Sequence, residues 1–258
     1  MKLALIPPAC LFGYHARTDY QLLLPQLWFK YPQYRRMFSS LKESQPTGKQ
    51  YYILDNGAAE GYSCSADDLM RAAVASHADE IVIPDMIKDA EGSIRALEGF
   101  MHYLNRSAYN PTAFKFMAVA QGKRLDEIWS YTKWLITEWG PSLTSIGLPR
   151  HLLGTLANPY ARISLAKALQ NEYGSDLPAL HFLGANPLWC TELEEAAQQV
   201  PWVRGYDTSM PFVYGWQREF LEDTKQISRP KNYFDLRYQQ EQAECSEKNV
   251  QTMLGWVG

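Results

Sequence analysis

A chain of 258 residues that is 46% hydrophobic and 13% aromatic can bury one large core, and it fits one α/β domain as well as two small ones. The net charge of −3 excludes a polycationic nucleic-acid binder, so contact with a polynucleotide would have to come from a local patch. Four scattered cysteines, Cys10, Cys64, Cys190 and Cys245, form no Cys-x-x-Cys pair, which argues against a zinc knuckle or a disulfide framework and predicts buried free thiols. The apolar run after Met1 and Lys2 meets Pro7 and Pro8 too soon for a signal peptide or a membrane span, so a cytoplasmic protein without membrane contact is expected.

In chain order, a short apolar run at residues 3–6 ends in Pro-Pro. Residues 18–41 read as helical and aromatic-rich, interrupted by Pro25 and Pro32, and 42–50 read as a polar loop. The stretch YYILDNGAAEG, residues 51–61, is a strand that stops at Asp55. Asn-Gly after a strand signals a hairpin, yet no second strand follows. Instead Ser65 and Asp68 form a capping box that opens a helix over 66–76. EIVIPD ends in Asp85, FKFMAVAQ in Gln121-Gly122, the run 145–149 in Gly-Leu-Pro, the run 180–184 in Gly184, and the run 203–207 in Asp207.

Helices are predicted between these runs. Residues 124–139 place Ile128, Trp129, Thr132 and Ile136 on one face, Asn158-Pro159 starts another helix, and Thr191-x-x-Glu194 a third. Residues 225–237 are basic and irregular, and a polar helix is predicted from about 235 to 256. From Asp55 onward the tips recur every 23 to 37 residues, about the length of a right-handed βαβ unit. Seven strands are evident and an eighth is sought near 211–215. The count fits a single-domain (β/α)8 barrel, with its core over about 1–215 and a C-terminal basic stretch and helix over 216–258. An open doubly wound sheet is the alternative, but neither a G-x-G-x-x-G nor a P-loop motif appears.

In a barrel the C-terminal ends of the strands converge on one face, which would bring Asp55, Asp85, Gln121, Gly147, Gly184 and Asp207 to a common mouth. Two acids flanking a substrate suit glycosidic-bond chemistry, and an acid beside an amide suits the edge of a guanine-like base. Asp55 stands ten residues before its helix, so capping explains it poorly, whereas Asp85 could cap the helix near Asp89. His181 reads as a hydrogen-bonded core residue.

The ordered set Leu54-Asp55-Asn56-Gly57, Pro84-Asp85, Val119-Ala120-Gln121-Gly122, Gly147-Leu148, Phe182-Leu183-Gly184 and Asp207-Thr208-Ser209-Met210-Pro211 resembles the tRNA-guanine transglycosylase superfamily. It is most similar to the phage-encoded DpdA-type DNA 7-deazaguanine transglycosylases, and the likeness spans roughly 1–215. The resemblance implies a (β/α)8 barrel that exchanges guanine in DNA for a free 7-deazaguanine such as preQ0, in a host bacterial cytoplasm, without a cofactor. By the same resemblance Asp207 is the nucleophile and Asp55 the general acid/base. Asp85, Gln121, Gly122 and the Gly147 backbone read the base, Leu183 packs on it, and Asn56, Gly57, Leu148 and Gly184 complete the site.

The departures are specific. The tRNA enzymes carry a Cys-x-Cys-x-x-Cys zinc site that this chain lacks, so no metal and no zinc subdomain are expected. Ala59 stands where they have a base-stacking aromatic, with Tyr62 as a substitute, and Arg150-His151 replaces the end of their Gly-Leu-Ala-Val-Gly-Glu, which favours preQ0 over an aminomethyl base. Arg35, Arg36, Lys42, Lys49, Arg150, Lys225, Arg229 and Lys231 are candidate phosphate contacts for a flipped or single-stranded base, with Tyr14, Trp216 and Tyr233 as candidate stacking rings. Exchange on tRNA, a non-catalytic nucleic-acid binder and a base-releasing hydrolase are the competing readings. Monomer and homodimer are both left open.

Overall fold

The computed structural model describes residues 1–44, 49–155, 158–185, 189, 191–221 and 227–258. Eight parallel strands form a nearly closed barrel: β1 (Lys2–Leu5), β2 (Tyr20–Leu23), β3 (Tyr51–Leu54), β4 (Glu80–Val82), β5 (Lys115–Val119), β6 (Ser145–Pro149), β7 (Ala179–Leu183) and β8 (Gly205–Thr208). Each strand pairs with the next in sequence from β2 to β8, β8 pairs with β1, and β1 lies against β2 to complete the ring. The chain is a (β/α)8 barrel.

The helices are α1 (Pro25–Lys30), α2 (Pro32–Ser44), α3 (Ala66–Ser76), α4 (Ala90–Arg106), α5 (Leu125–Trp134), α6 (His151–Thr155), α7 (Ala161–Tyr173), α8 (Glu192–Gln199), α9 (Met210–Trp216) and α10 (Gln240–Val257). Their starts follow the local chemistry. Ser65 accepts from the Asp68 N–H at 3.1 Å, and Asp89 accepts from the Gly92 N–H at 2.9 Å. Asp89 therefore caps α4, which frees Asp85 from that task. Asn158 accepts from the Tyr160 N–H at 2.9 Å, and the helix begins two residues after the expected proline. Beyond Trp134 the α5 segment widens into a π-turn over Leu135–Trp139.

The eighth strand is not where the sequence suggested. Residues 211–215 lie in α9, with Pro211 in its first turn, where a missing N–H costs nothing. The missing strand is β2, inside the segment expected to be helical. Tyr20 stands opposite Tyr51 and Leu23 opposite Leu54. Pro25 and Pro32 do not interrupt one helix; each sits at the first position of its own. The backbone groups of Tyr20–Leu23 find their ladder on β3, and that tertiary pairing outweighs the mild helix propensity of the two leucines.

The strands are buried on both faces, as a barrel wrapped by helices requires. In the wall, Arg162 of α7 pairs with Glu192 of α8 in full burial. Its guanidinium also donates to the Leu148 and Leu183 carbonyls at 3.2 and 3.0 Å, and Glu192 accepts from the Tyr206 hydroxyl at 3.1 Å. Outside the barrel α10 packs on α8, α9 and β1. The α9–α10 contact is so close that a Cβ on Gly215 would lie 2.7 Å from the Ser246 backbone. Of the three described cysteines, all free thiols, Cys245 is buried as expected, whereas Cys10 is exposed and Cys64 half-buried; Cys190 lies outside the described residues.

Candidate active site

The strand tips surround a cavity of about 240 Å³. That is below the ~300–1,000 Å³ of drug-sized pockets and closer to the needs of one ring system. Asp55, Asn56, Asp85, Gln121, Leu183, Gly184 and Asp207 line it, as do Arg150 and Arg229.

Asp207 is carried by β8 and is 3% exposed. Its Oδ1 accepts the Gly184 N–H at 2.9 Å and lies 3.1 Å from His181 Nε2. Gly184 has φ +71°, and a Cβ there would also press on the Arg150 side chain, so glycine suits this turn. With two partners on one oxygen, the carboxylate is held in a fixed orientation.

Asp55 follows β3, two residues beyond Ile53 and on the same inward face. The turn after it is not a hairpin. Asp55 Oδ2 accepts the Gly57 N–H at 3.2 Å, and Asn56 Oδ1 accepts the Ala58 N–H at 2.8 Å, so side chains hold the backbone in a tight turn. Gly57 sits at φ +83° with Tyr62 3.1 Å from where a Cβ would stand. Burial pushes the Asp55 carboxyl well above its ordinary range, and the nearby charges of Glu60, Asp207 and Asp85 push it the same way.

Asp85 is braced from both sides. Asn56 Nδ2 donates to its Oδ1 at 2.5 Å, and Gln121 Nε2 donates to its Oδ2. Gln121 is oriented in turn by the Lys88 N–H, which donates to its Oε1 at 2.8 Å. Burial raises the Asp85 pKa, and the two amide bonds offset part of that rise. Asn56 also donates to the Ile83 carbonyl at 2.8 Å, so its polar atoms are spent on the protein: it is a brace.

Four expected residues do not line the cavity. Gly57 sits in the turn beneath it, and a Cβ on Gly122 would strike the Ile128 backbone N at 2.9 Å. Gly147 carries the Leu183 side chain over it, 2.4 Å from a would-be Cβ, and its carbonyl is bound by the Ala120 N–H. Leu148 alternates with the inward Pro149 and faces the helices. The position of Ala59 is at the cavity, but Tyr62 packs on Gly57 and is not part of the lining.

The cationic candidates separate by place. Arg150 and Arg229 line the cavity, and Arg229 is paired with Glu60 at 2.8 Å. Arg35 donates to the Trp28 and Phe29 carbonyls at 2.6 and 3.3 Å, so it closes the end of α1. Lys42 pairs with Asp79 at 3.0 Å; Asp79 immediately precedes β4, which puts this lysine at the opposite end of the barrel from the cavity. Lys49, two residues before β3, is exposed at that same end. Arg36 and Lys231 are exposed away from the lining, and Lys225 lies outside the described residues. Of the expected stacking rings, Tyr233 is core and donates to the Ile6 carbonyl at 2.6 Å, Tyr14 packs on Phe212, and Trp216 does not reach the cavity.

Two polar residues at the site, Glu60 and His151, were not anticipated, and His181 is the hydrogen-bonded core residue expected but stands against Asp207. His181 contacts Asp207; it lies two residues before the inward Leu183, so strand alternation could have exposed it. Glu60 lines the cavity, with Oε1 bound to Arg229 at 2.8 Å and Oε2 buried without a partner among the described residues. His151 also lines it, with Nε2 likewise buried and unpartnered among the described residues; burial lowers its pKa to about 4, so the ring is neutral. Among the described residues no group of His, Cys, Asp or Glu is placed to hold a metal ion, and no helix is long and apolar enough to cross a membrane.

Chemically the cavity offers one carboxylate anchored through a single oxygen, a second carboxyl whose pKa burial raises, and a third braced by two amides. Two carboxyl groups in unlike environments divide naturally into nucleophile and acid. A scan of protein-family models finds no match to this chain, and neither does a search of curated proteins. Among solved structures it is similar to D-psicose 3-epimerase from Clostridium cellulolyticum H10, determined with D-tagatose. The TM-score is 0.52 at 10% identity, over 100% of this chain and 99% of the other. At that identity the likeness speaks for the barrel alone.

Proposed function

We propose that this protein is a DNA-guanine transglycosylase that exchanges guanine for a free 7-deazaguanine base, preQ0 or a close relative, without a cofactor. The observation that carries the reading is a pairing in the cavity: Asp207, pinned through Oδ1, lines the same small cavity as Asp55, whose pKa burial raises well above the ordinary carboxyl range.

In this mechanism Asp207 Oδ2 forms a bond to C1′ as the C1′–N9 bond breaks, and the bonding pair departs with the base. Asp55 gives its proton to the leaving guanine. The sugar stays on Asp207 as a covalent ester while guanine leaves. The incoming base returns a proton to Asp55 and attacks C1′ through N9, which frees the Asp207 carboxylate. Asp85 accepts hydrogen bonds from the N–H edge of either base, held in place by Asn56 and Gln121, with Leu183 against the ring.

The guanine-and-DNA part of the reading rests on the resemblance of the ordered strand-tip motifs. Arg150, a cation lining an otherwise acidic cavity, supports a polyanionic substrate, whereas the charge of Arg229 is met by Glu60. A base can enter only out of its stack, so the substrate is flipped or single-stranded.

The test is nucleoside mass spectrometry after incubation with preQ0 and, separately, duplex DNA, single-stranded DNA and tRNA, each beside an Asp207→Ala control. A deazaguanine deoxynucleoside confined to wild-type DNA samples is the expected result. Product in tRNA alone would move the substrate to tRNA. Abasic sites without exchange would make the protein a hydrolase, and no product anywhere would overturn the reading.

A further inference from the structure

Below Asp207 the barrel interior holds a line of buried polar groups that the reaction described above leaves without a task. Tyr20 opens β2 and is 1% exposed. Its ring crosses to β8, where a Cβ on Gly205 would stand 2.5 Å from it. Its hydroxyl lies 2.9 Å from His181 Nδ1 and accepts from Arg204 Nε at 3.2 Å. Arg204 in turn pairs with Glu80 at 2.6 Å and donates to Ser145 Oγ at 3.0 Å, and Ser145 donates to Glu80 Oε1 at 2.7 Å. At the upper end His181, fully buried, stands 3.1 Å from Asp207 Oδ1.

One arrangement of hydrogens pairs every group in this line. An arginine Nε carries a hydrogen and no lone pair, so Tyr20 Oη accepts there. The phenol proton then has His181 Nδ1 as its acceptor. In that arrangement Nδ1 is the bare nitrogen, and the ring hydrogen sits on Nε2, aimed at Asp207. The opposite tautomer would set a lone pair against a carboxylate oxygen and leave the phenol proton without its acceptor. Burial also lowers the His181 pKa, which keeps the ring uncharged.

We infer that His181, locked as the Nε2–H tautomer by Tyr20 and Arg204, is the positioning residue of Asp207. Together with the Gly184 N–H it places two donors on Oδ1, which orients the carboxylate and leaves Oδ2 as the oxygen turned to the ligand. The role of this line in turnover rests on the reading of Asp207 as nucleophile; its hydrogen-bond polarity does not.

The experiment is therefore in two arms on the full-length chain. Nitrogen-15 NMR of labelled histidine reads the His181 tautomer at neutral pH without any substrate. The expected result is a neutral ring with hydrogen on Nε2, a tautomer mixture in Tyr20→Phe, and a shifted Nε2 resonance in Asp207→Asn. A ring protonated on Nδ1, a doubly protonated ring, or a His181 spectrum indifferent to Tyr20→Phe would overturn the inference.

The second arm measures base exchange. His181→Phe should lower kcat about ten- to a hundred-fold, the value of one hydrogen bond to a charged group, with KM for the free base nearly unchanged. His181→Gln, which keeps an N–H near the Nε2 position, should recover part of the loss. Equal losses in both variants, or a change confined to KM, would remove His181 from the positioning role. If the wild-type protein exchanges no base at all, the transglycosylase reading fails, and the NMR arm alone decides whether His181 donates to Asp207.

Discussion

Asn56 Nδ2 stands 2.5 Å from Asp85 Oδ1, and this one contact ties the turn after β3 to the tip of β4. The same amide nitrogen bonds the Ile83 carbonyl, and the amide oxygen holds the turn through Ala58. Asn56→Ala therefore strands a buried carbonyl and frees one side of Asp85. The expected cost is about 1–3 kcal/mol of stability, read from denaturant melts. If Asp85 reads the base as proposed, the variant should raise KM for the base more than it lowers kcat in exchange kinetics.

Asp55 makes the fold sensitive to pH in a defined direction. Its pKa in the folded protein lies above the unfolded value, so the neutral carboxyl is accommodated at low pH and stability falls as pH rises through the folded value. Asp55→Asn removes the group that must ionise. The variant should match wild type in acid and exceed it at pH 8 by ~1 kcal/mol, about 2–4 °C in Tm. It should also lose about 10²–10⁴ in exchange rate. Thermal melts at several pH values check the first statement; a wild-type advantage at pH 8 would contradict it.

The Arg162–Glu192 pair lies wholly inside the wall, sandwiched near the Phe182 and Tyr206 rings. Removing one partner leaves an uncompensated buried charge. Arg162→Met should cost ~3–5 kcal/mol. Because Arg162 also holds the Leu148 and Leu183 carbonyls, the variant should loosen the β6 and β7 tips, visible as faster amide exchange at Leu183 and Gly184.

Gly215 has no room for a side chain. A Cβ would meet Ser246 Oγ at 2.0 Å and the Ser246 backbone at 2.7 Å. A hydroxyl can rotate away, but a helix backbone cannot, so Gly215→Ala must part α9 from α10. We expect a loss of about 1–3 kcal/mol with the cavity chemistry intact, so kcat at low temperature should stay near wild type while Tm falls.

Much of this was legible because barrel chemistry sits at strand ends, where apolar runs stop at polar residues. Asp55, Asp85, Gln121 and Asp207 each end such a run, and all four reach the cavity. β2 was hidden because Tyr20–Leu23 is short, has buried Gln21 within it and runs straight into two proline-started helices; only its pairing with β3 makes it a strand. Glu60 and His151 were missed because each lies in a loop or first helical turn that has no period, and their placement depends on how those segments fold over the mouth. Lys42 illustrates the converse: a basic residue in a polar stretch, whose position at the closed end follows only from the direction of β4.

The ladder of Tyr20, Arg204, Ser145 and Glu80 fills the barrel beneath Asp207, so what enters at the strand tips must leave there too. A one-door chamber sized for one ring system would impose an itinerary on the proposed base exchange. Under the proposed function, the outgoing purine would have to clear the mouth before its replacement could enter, with the sugar held meanwhile by its bond to Asp207. Initial-rate plots against the two substrates should accordingly give parallel lines, and added guanine should compete with the incoming base for the one seat.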